Sequence, residues 1–214
     1  MNIIESLQAE LLQANCDVIS VLRKARVISH KLNLSEFEEW TIKELNGYND
    51  TDTYPIYRKN ITGKIKYFNP YRGWCPVLFY STEQENNLST REYKDSIPKI
   101  VDLLNNTTGT LTMSLPPEII DAIWAESMTG PMETYLALDK STLKDITEQV
   151  KNKILDWVLI LDDKGITGNE VSFSDAEKTK ARNDPQIINY TTNIYGNVED
   201  TQIQQGTNNS NQEL

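Results

Sequence analysis

The chain has 214 residues, with 31 acids against 21 bases and a formal charge of −10. That length suits one substantial domain with an appendage, and the acidity argues against a general nucleic-acid binder, which needs a basic surface to displace counterions. Hydrophobic residues make up 38%, below the roughly 45–50% of typical globular chains, so some stretch should be polar and poorly packed.

Residues 3–32 read as helix. Ile4, Leu7 and Leu11, then Val18, Leu22, Ala25 and Ile28, recur at three- and four-residue spacing. Asn15-Cys16-Asp17 re-phases that face, with Asp17 as N-cap of a second helix; a hairpin and a bent helix both fit. Ser35 and Glu38 have the spacing of a capping box. A helix over 36–45 follows, burying Trp40 and ending at Asn46-Gly47 with a left-handed cap. Residues 3–47 thus form a helical unit.

The middle of the chain changes character. Residues 54–58 and 62–68 carry aromatic and β-branched residues with partial alternation, as strands do, and 74–80 is a further extended run. Asn69-Pro70-Tyr71-Arg72-Gly73 is a turn. A helix is expected over 91–104, with Pro98 in its first turn or bending it. From Thr108 to Leu115, Leu111, Met113 and Leu115 alternate with Thr110, Thr112 and Ser114, a strand signature. Pro116-Pro117-Glu118 opens a helix to about Met128, and 133–138 is a strand. A capping box at Thr142–Asp145 starts a long helix to about 162, presenting Ile146, Val150, Ile154, Trp157, Val158 and Leu161. The expected class is α+β: a helical N-terminal unit and a small antiparallel sheet with packed helices, over residues 1–162.

Residues 163–185 read as a polar linker in which Ser174-Asp175-Ala176-Glu177 starts a short helix. Residues 186–214 are rich in Asn and Gln. Disorder suits that composition, yet Ile188, Tyr190, Thr192 and Ile194 alternate, Gly196-Asn197 marks a turn, and Thr201–Gln205 is β-prone. Such short strands need partners, most simply copies of themselves. The expectation is therefore a β-forming assembly tail, with Ile194, Val198 and Ile203 as its oligomerisation residues.

For chemistry the sequence offers little. With one histidine, His30, and two cysteines, Cys16 and Cys75, cysteine/histidine zinc sites and disulfide scaffolds are excluded and no metal or cofactor site is expected. Phosphate-loop and dinucleotide fingerprints are missing. Glu38-Glu39 and Asp162-Asp163 point to different helix faces and form no acid/base pair. Cys75, without a basic neighbour, reads as a packing residue. What stands out is a basic stretch, Arg23, Lys24, Arg26, His30 and Lys31. Arg23, Arg26 and His30 fall at i, i+3 and i+7, so they converge on one face as a candidate site for a phosphate or acidic partner; a solvated face balancing Glu36, Glu38 and Glu39 is the competing reading. No catalytic residue is identified.

The text LRKARVISHKLNLSEFEEWTIKELNGY, residues 22–48, resembles the start of the AbiTii-type abortive-infection family of bacterial anti-phage proteins. Further matches follow in order: Pro116-Pro117-Glu118, Ile154-Leu155-Asp156-Trp157, and Gly165-Ile166-Thr167-Gly168 leading to Val171-Ser172-Phe173-Ser174 and Glu177-Lys178. The resemblance spans about residues 3–180 and implies phage defence by a bacterial cytoplasmic protein, without supplying a catalytic residue. The tail is similar to Asn/Gln/Gly motifs appended to bacterial defence proteins and, more loosely, to amyloid-type signalling motifs, although an extra Gln205 precedes Gly206. The resulting expectation is a defence protein, leaning away from enzymatic action, that assembles with copies of itself and engages a phage or host protein. A defence enzyme acting on nucleic acid or nucleotides, and an interaction module with a disordered tail, are the alternatives. No signal peptide or membrane span is apparent, a cytoplasmic location is the default, and a nucleic-acid partner is not expected.

Overall fold

The computed structural model describes residues 2–125, 127–128, 130–170 and 172–196. Three helices open the chain: α1 (Ile3–Leu11), α2 (Val18–Leu32) and α3 (Ser35–Asn46). The first two are separate helices, because Asp17 accepts from the Ile19 N–H at 3.0 Å and caps α2 as its sequence implies. Asn33 ends α2 in the left-handed region at φ 57, which asparagine tolerates better than most residues.

Ser35 does not cap α3. Leu34 occupies the N-cap without a side-chain bond, and the Glu38 carboxylate is turned toward His30 instead. At the other end Gly47 has φ 95 but an extended ψ of 171, so the chain leaves the helix straight and not through a left-handed turn. A Cβ on Gly47 would lie 3.1 Å from the Lys94 carbonyl oxygen.

The expected strand at 54–58 is a 3-10 turn, Ile56–Arg58, held by an Ile56 N–H to Tyr195 O bond of 3.1 Å and by burial of Arg58. The 62–68 run splits at Gly63 into β1 (Ile61–Thr62) and β2 (Lys64–Asn69), which join different sheets. Strand β3 (Gly73–Pro76) covers half of the 74–80 run. Helix α4 (Thr82–Ser89), capped by Ser81, was not foreseen in this polar stretch. Strand β4 (Thr90–Arg91) pairs with β1, so α5 starts only at Ile97 and runs to Asn106, with Ser96 as cap and Pro98 in the first turn.

Strand β5 (Leu111–Ser114), helix α6 (Pro117–Trp124), strand β6 (Thr134–Leu138) and helix α7 (Lys140–Asp163) follow as the periodicities predict. Helix α7 begins two residues earlier than its expected capping box, with Asp139 at the N-cap. The four-stranded sheet is antiparallel throughout, in the order β3-β2-β6-β5. Ile65, Leu111, Leu136 and Leu138 on one face join the core. Helix α7 is the spine against which α1, α2 and α5 pack. Phe37 stacks on Trp157 at 4.0 Å and touches Trp40, which is buried as expected.

Packing continues past residue 162. Helix α8 (Asp175–Asn183) has a capping box in which Ser174 and Glu177 satisfy each other's backbone N–H. Helix α9 (Pro185–Thr192) replaces the strand expected over Ile188–Ile194. Asp184 accepts from the N–H groups of Gln186 and Ile187, and Pro185 sits where a helix tolerates it best. Ile187, Tyr190, Thr191 and Ile194 then fall at i, i+3, i+4 and i+7 and are buried, while Ile188 is 43% exposed. Helical spacing overrides the alternation because α7 offers a surface to cover. Ile194, expected at an oligomer interface, belongs to the core of its own chain. Val198 and Ile203 lie outside the described residues.

Candidate binding groove and buried charge cluster

Helix α2 has two faces of opposite character. Val18, Val21, Leu22, Ala25, Ile28 and Leu32 are buried, and Arg23, Arg26 and His30 project from the other side. Together with Val27 they form one wall of a groove of about 590 Å³. Helix α3 contributes Glu38, Leu45 and Asn46, and α5 contributes Pro98. The three residues singled out by helical spacing are therefore brought together, on partners from two other elements.

The electrostatics of the groove are unbalanced. His30 Nδ1 lies 3.0 Å from Glu38 Oε1, which fixes the ring against α3. Lys24 pairs with Glu10 and so leaves the basic set. Neither Arg23 nor Arg26 takes part in an ion pair among the described residues. Two guanidinium groups, each offering a planar fork of donors, thus face an accessible depression. The lining contains no hydroxyl or thiol that His30 would activate, and among the described residues no group of three or more His, Cys, Asp or Glu is arranged to hold a metal. The arrangement suits recognition of a phosphate or carboxylate, which a guanidinium binds through two parallel hydrogen bonds.

A second charged cluster went unnoticed in the sequence. Glu44 and Arg58 are both fully buried. Arg58 Nε donates to Glu44 Oε1 and Oε2 at 3.0 and 3.2 Å, and its NH2 donates to Oε2 at 2.5 Å. Its NH1 donates to the carbonyls of Tyr93 and Asp95 at 3.0 and 2.8 Å. Glu44 Oε1 also accepts from the hydroxyls of Tyr48 and Tyr57 at 2.8 and 2.6 Å, and Trp40 Nε1 donates to Tyr57 at 2.9 Å. Burial, and then the Glu44 charge, push both tyrosine hydroxyls far above their usual range, so they stay protonated donors. The one available signal was phase: Phe37, Trp40, Thr41 and Glu44 share the buried face of α3, and an acid on such a face demands a partner.

This cluster is saturated and closed, and its chemistry is structural. It ties α3, the 3-10 turn and the segment before α5 together, which places the α3 and α5 walls of the groove. Nearby, Lys153 is also buried and donates from Nζ to the Gly196 carbonyl at 3.0 Å. Burial lowers its pKa, against the raising effect of Asp156 and Glu44.

No helix among the described residues is long and apolar enough to cross a membrane. Comparison with known proteins gives one family: the AbiTii model matches residues 2–186. No curated protein matches the chain, nor does any solved structure.

Proposed function

Because the chain belongs to the AbiTii family of abortive-infection proteins, we propose that it defends against phage by binding, with its groove receiving an anionic group of a phage or host protein. The observation that carries this reading is the pair of unpaired arginines, Arg23 and Arg26, set beside His30 in an accessible depression. Evolution of a folded chain has no structural need to cluster cations there, since surface charges of this kind contribute little to stability. A cytoplasmic location goes with the reading.

Self-association through the residues beyond Gly196 completes the proposal. Its support is the Asn/Gln-rich sequence with β-prone Thr201–Gln205, in which stacked copies would form amide ladders. The tail also departs from a fixed point, since the Lys153 ammonium holds the Gly196 carbonyl and the Ile56 N–H holds that of Tyr195.

Two variants test the two halves. Arg23→Glu with Arg26→Glu should abolish protection in a phage plating assay while the thermal midpoint moves little; retained protection refutes the groove. A chain ended after Gly196 should keep its fold, lose protection and sediment as a monomer where the full chain does not. A monomeric full chain refutes assembly.

A further inference from the structure

The second face of the four-stranded sheet carries a group of aromatic rings that neither the core nor the groove uses. The register pairs Phe68 with Trp74 and Lys66 with Tyr135. Pleating therefore puts Phe68, Trp74 and Tyr135 together on the face opposite Ile65 and Leu136. The Trp74 ring lies 5.3 Å from Phe68 and 4.3 Å from Tyr135. Phe68 and Trp74 are 40% and 41% exposed, and Tyr71 in the adjoining turn is 97% exposed. Along the extended chain after β3, Leu78 and Tyr80 also point outward at 89% and 91%.

Cations frame this platform. Lys64 and Lys66 share the face with Phe68, and Arg72 stands in the turn beside Tyr71. None of the three is in an ion pair among the described residues, although ten such pairs are present there. The acid nearest in register is Glu133, whose carbonyl accepts from the Phe68 N–H at 2.9 Å. Three cations thus stand against one acid on a chain whose formal charge is −10.

We infer that this face binds single-stranded nucleic acid, with bases stacking on Trp74 and its aromatic neighbours and phosphates meeting Lys64, Lys66 and Arg72. Exposed rings alone fit a protein partner equally well. The combination with unpaired cations favours an unpaired strand, because every base presents a flat face and every linkage a charge. A duplex hides its bases in the stack, and the acidic remainder of the molecule repels its dense phosphates. The binding should be sequence-tolerant and strongly salt-dependent, which is compatible with an overall charge unsuited to general nucleic-acid binding. It is independent of the α2–α3–α5 groove.

The test is fluorescence anisotropy with labelled oligothymidylate and oligouridylate, titrated with the full chain at low and moderate salt. Intact chain should bind both, and bind a matched duplex more weakly. Trp74→Ala should weaken binding roughly tenfold. Lys64→Glu with Lys66→Glu should weaken it further and reduce the salt slope by about two. Arg23→Glu with Arg26→Glu should leave it unchanged, which separates this face from the groove. Should Trp74→Ala fail to fold, the lysine pair and Tyr71→Ala, all at the surface, carry the test. No binding by the intact chain overturns the inference, and so does equal binding by the variants. Trp74-dependent self-association without oligonucleotide binding overturns it as well, by assigning the face to a second copy.

Discussion

Arginine is used in two opposite ways within a short stretch of this molecule. Arg58 is fully buried, and all three of its guanidinium nitrogens are occupied by Glu44 and two carbonyls. Arg23 and Arg26 are exposed at the mouth of the groove without an ionic partner among the described residues. The same side chain is thus a closed structural joint in one place and an open recognition group in the other. The difference lies in desolvation: a guanidinium that has lost its water must be satisfied from within, whereas one that keeps its water is free to exchange it for a ligand. Burial and saturation together therefore separate scaffold from site more reliably than charge does.

The largest effect should come from breaking the closed joint. Glu44→Gln leaves Arg58 buried without a counter-charge and should cost about 3–5 kcal/mol in urea unfolding. Replacing both partners, as Glu44→Leu with Arg58→Met, should cost clearly less than the two single changes added together, because no charge is then stranded. Additive losses would show that the pair is not coupled. Reversing Arg23 and Arg26 should stay within about 0.5 kcal/mol by the same measurement.

A smaller loss should follow Tyr57→Phe. It removes one hydrogen bond to a charged acceptor and strands the Trp40 N–H, for about 1.5–3 kcal/mol. A loss near zero would mean that water or a neighbour replaces the hydroxyl, and would weaken the view of the cluster as saturated.

Much of this was legible in the sequence, and what was not has a common cause. Helices α2 and α7 and strand β5 are long or regular enough for periodicity to identify them, and Asp17 announces its cap. Arg23, Arg26 and His30 could be placed on one face by counting, but Glu38, Asn46 and Pro98 reach the same groove only through tertiary packing. The Arg58–Glu44 pair spans 14 positions and two elements, beyond what local spacing encodes. Helix α9 was misread although its signals were present: Asp184-Pro185 opens it, and Ile187, Tyr190, Thr191 and Ile194 follow helical spacing. An eight-residue segment satisfies period two and period 3.6 almost equally, and only the neighbouring surface of α7 decides.

Between the closed joint and the open groove lies Glu177. Partial burial alone would raise its pKa, but N–H groups of Gly168, Ser174 and Thr167 and the Ser174 hydroxyl hold its carboxyl below the ordinary range. A lowered folded pKa means that the unfolded chain takes up the proton first as pH falls. The contribution is therefore complete above the model-compound value of 4.5 and is lost as pH drops through the lower folded value. Glu177→Gln should cost about 1 kcal/mol at neutral pH, like Ser174→Ala. The difference from the parent chain should shrink through that acidic window in thermal or urea melts. A difference independent of pH would assign the loss to packing and not to the ionised carboxylate.

The smallest effect is expected at Ser35, and it separates the two capping patterns. By spacing alone, Ser35 and Glu38 form the same motif as Ser174 and Glu177, and Ser35→Ala should then cost about 1 kcal/mol. In the structure Ser35 already lies inside α3, Leu34 holds the N-cap, and Glu38 is committed to His30 across the groove. No cap bond exists to lose, and alanine is the better helix former by a few tenths of a kcal/mol. Ser35→Ala should accordingly be neutral or slightly stabilising in urea unfolding, beside a loss of about 1 kcal/mol for Ser174→Ala. A comparable loss at both serines would mean that Glu38 caps α3 in solution, and His30 would then lose the carboxylate that orients it in the groove.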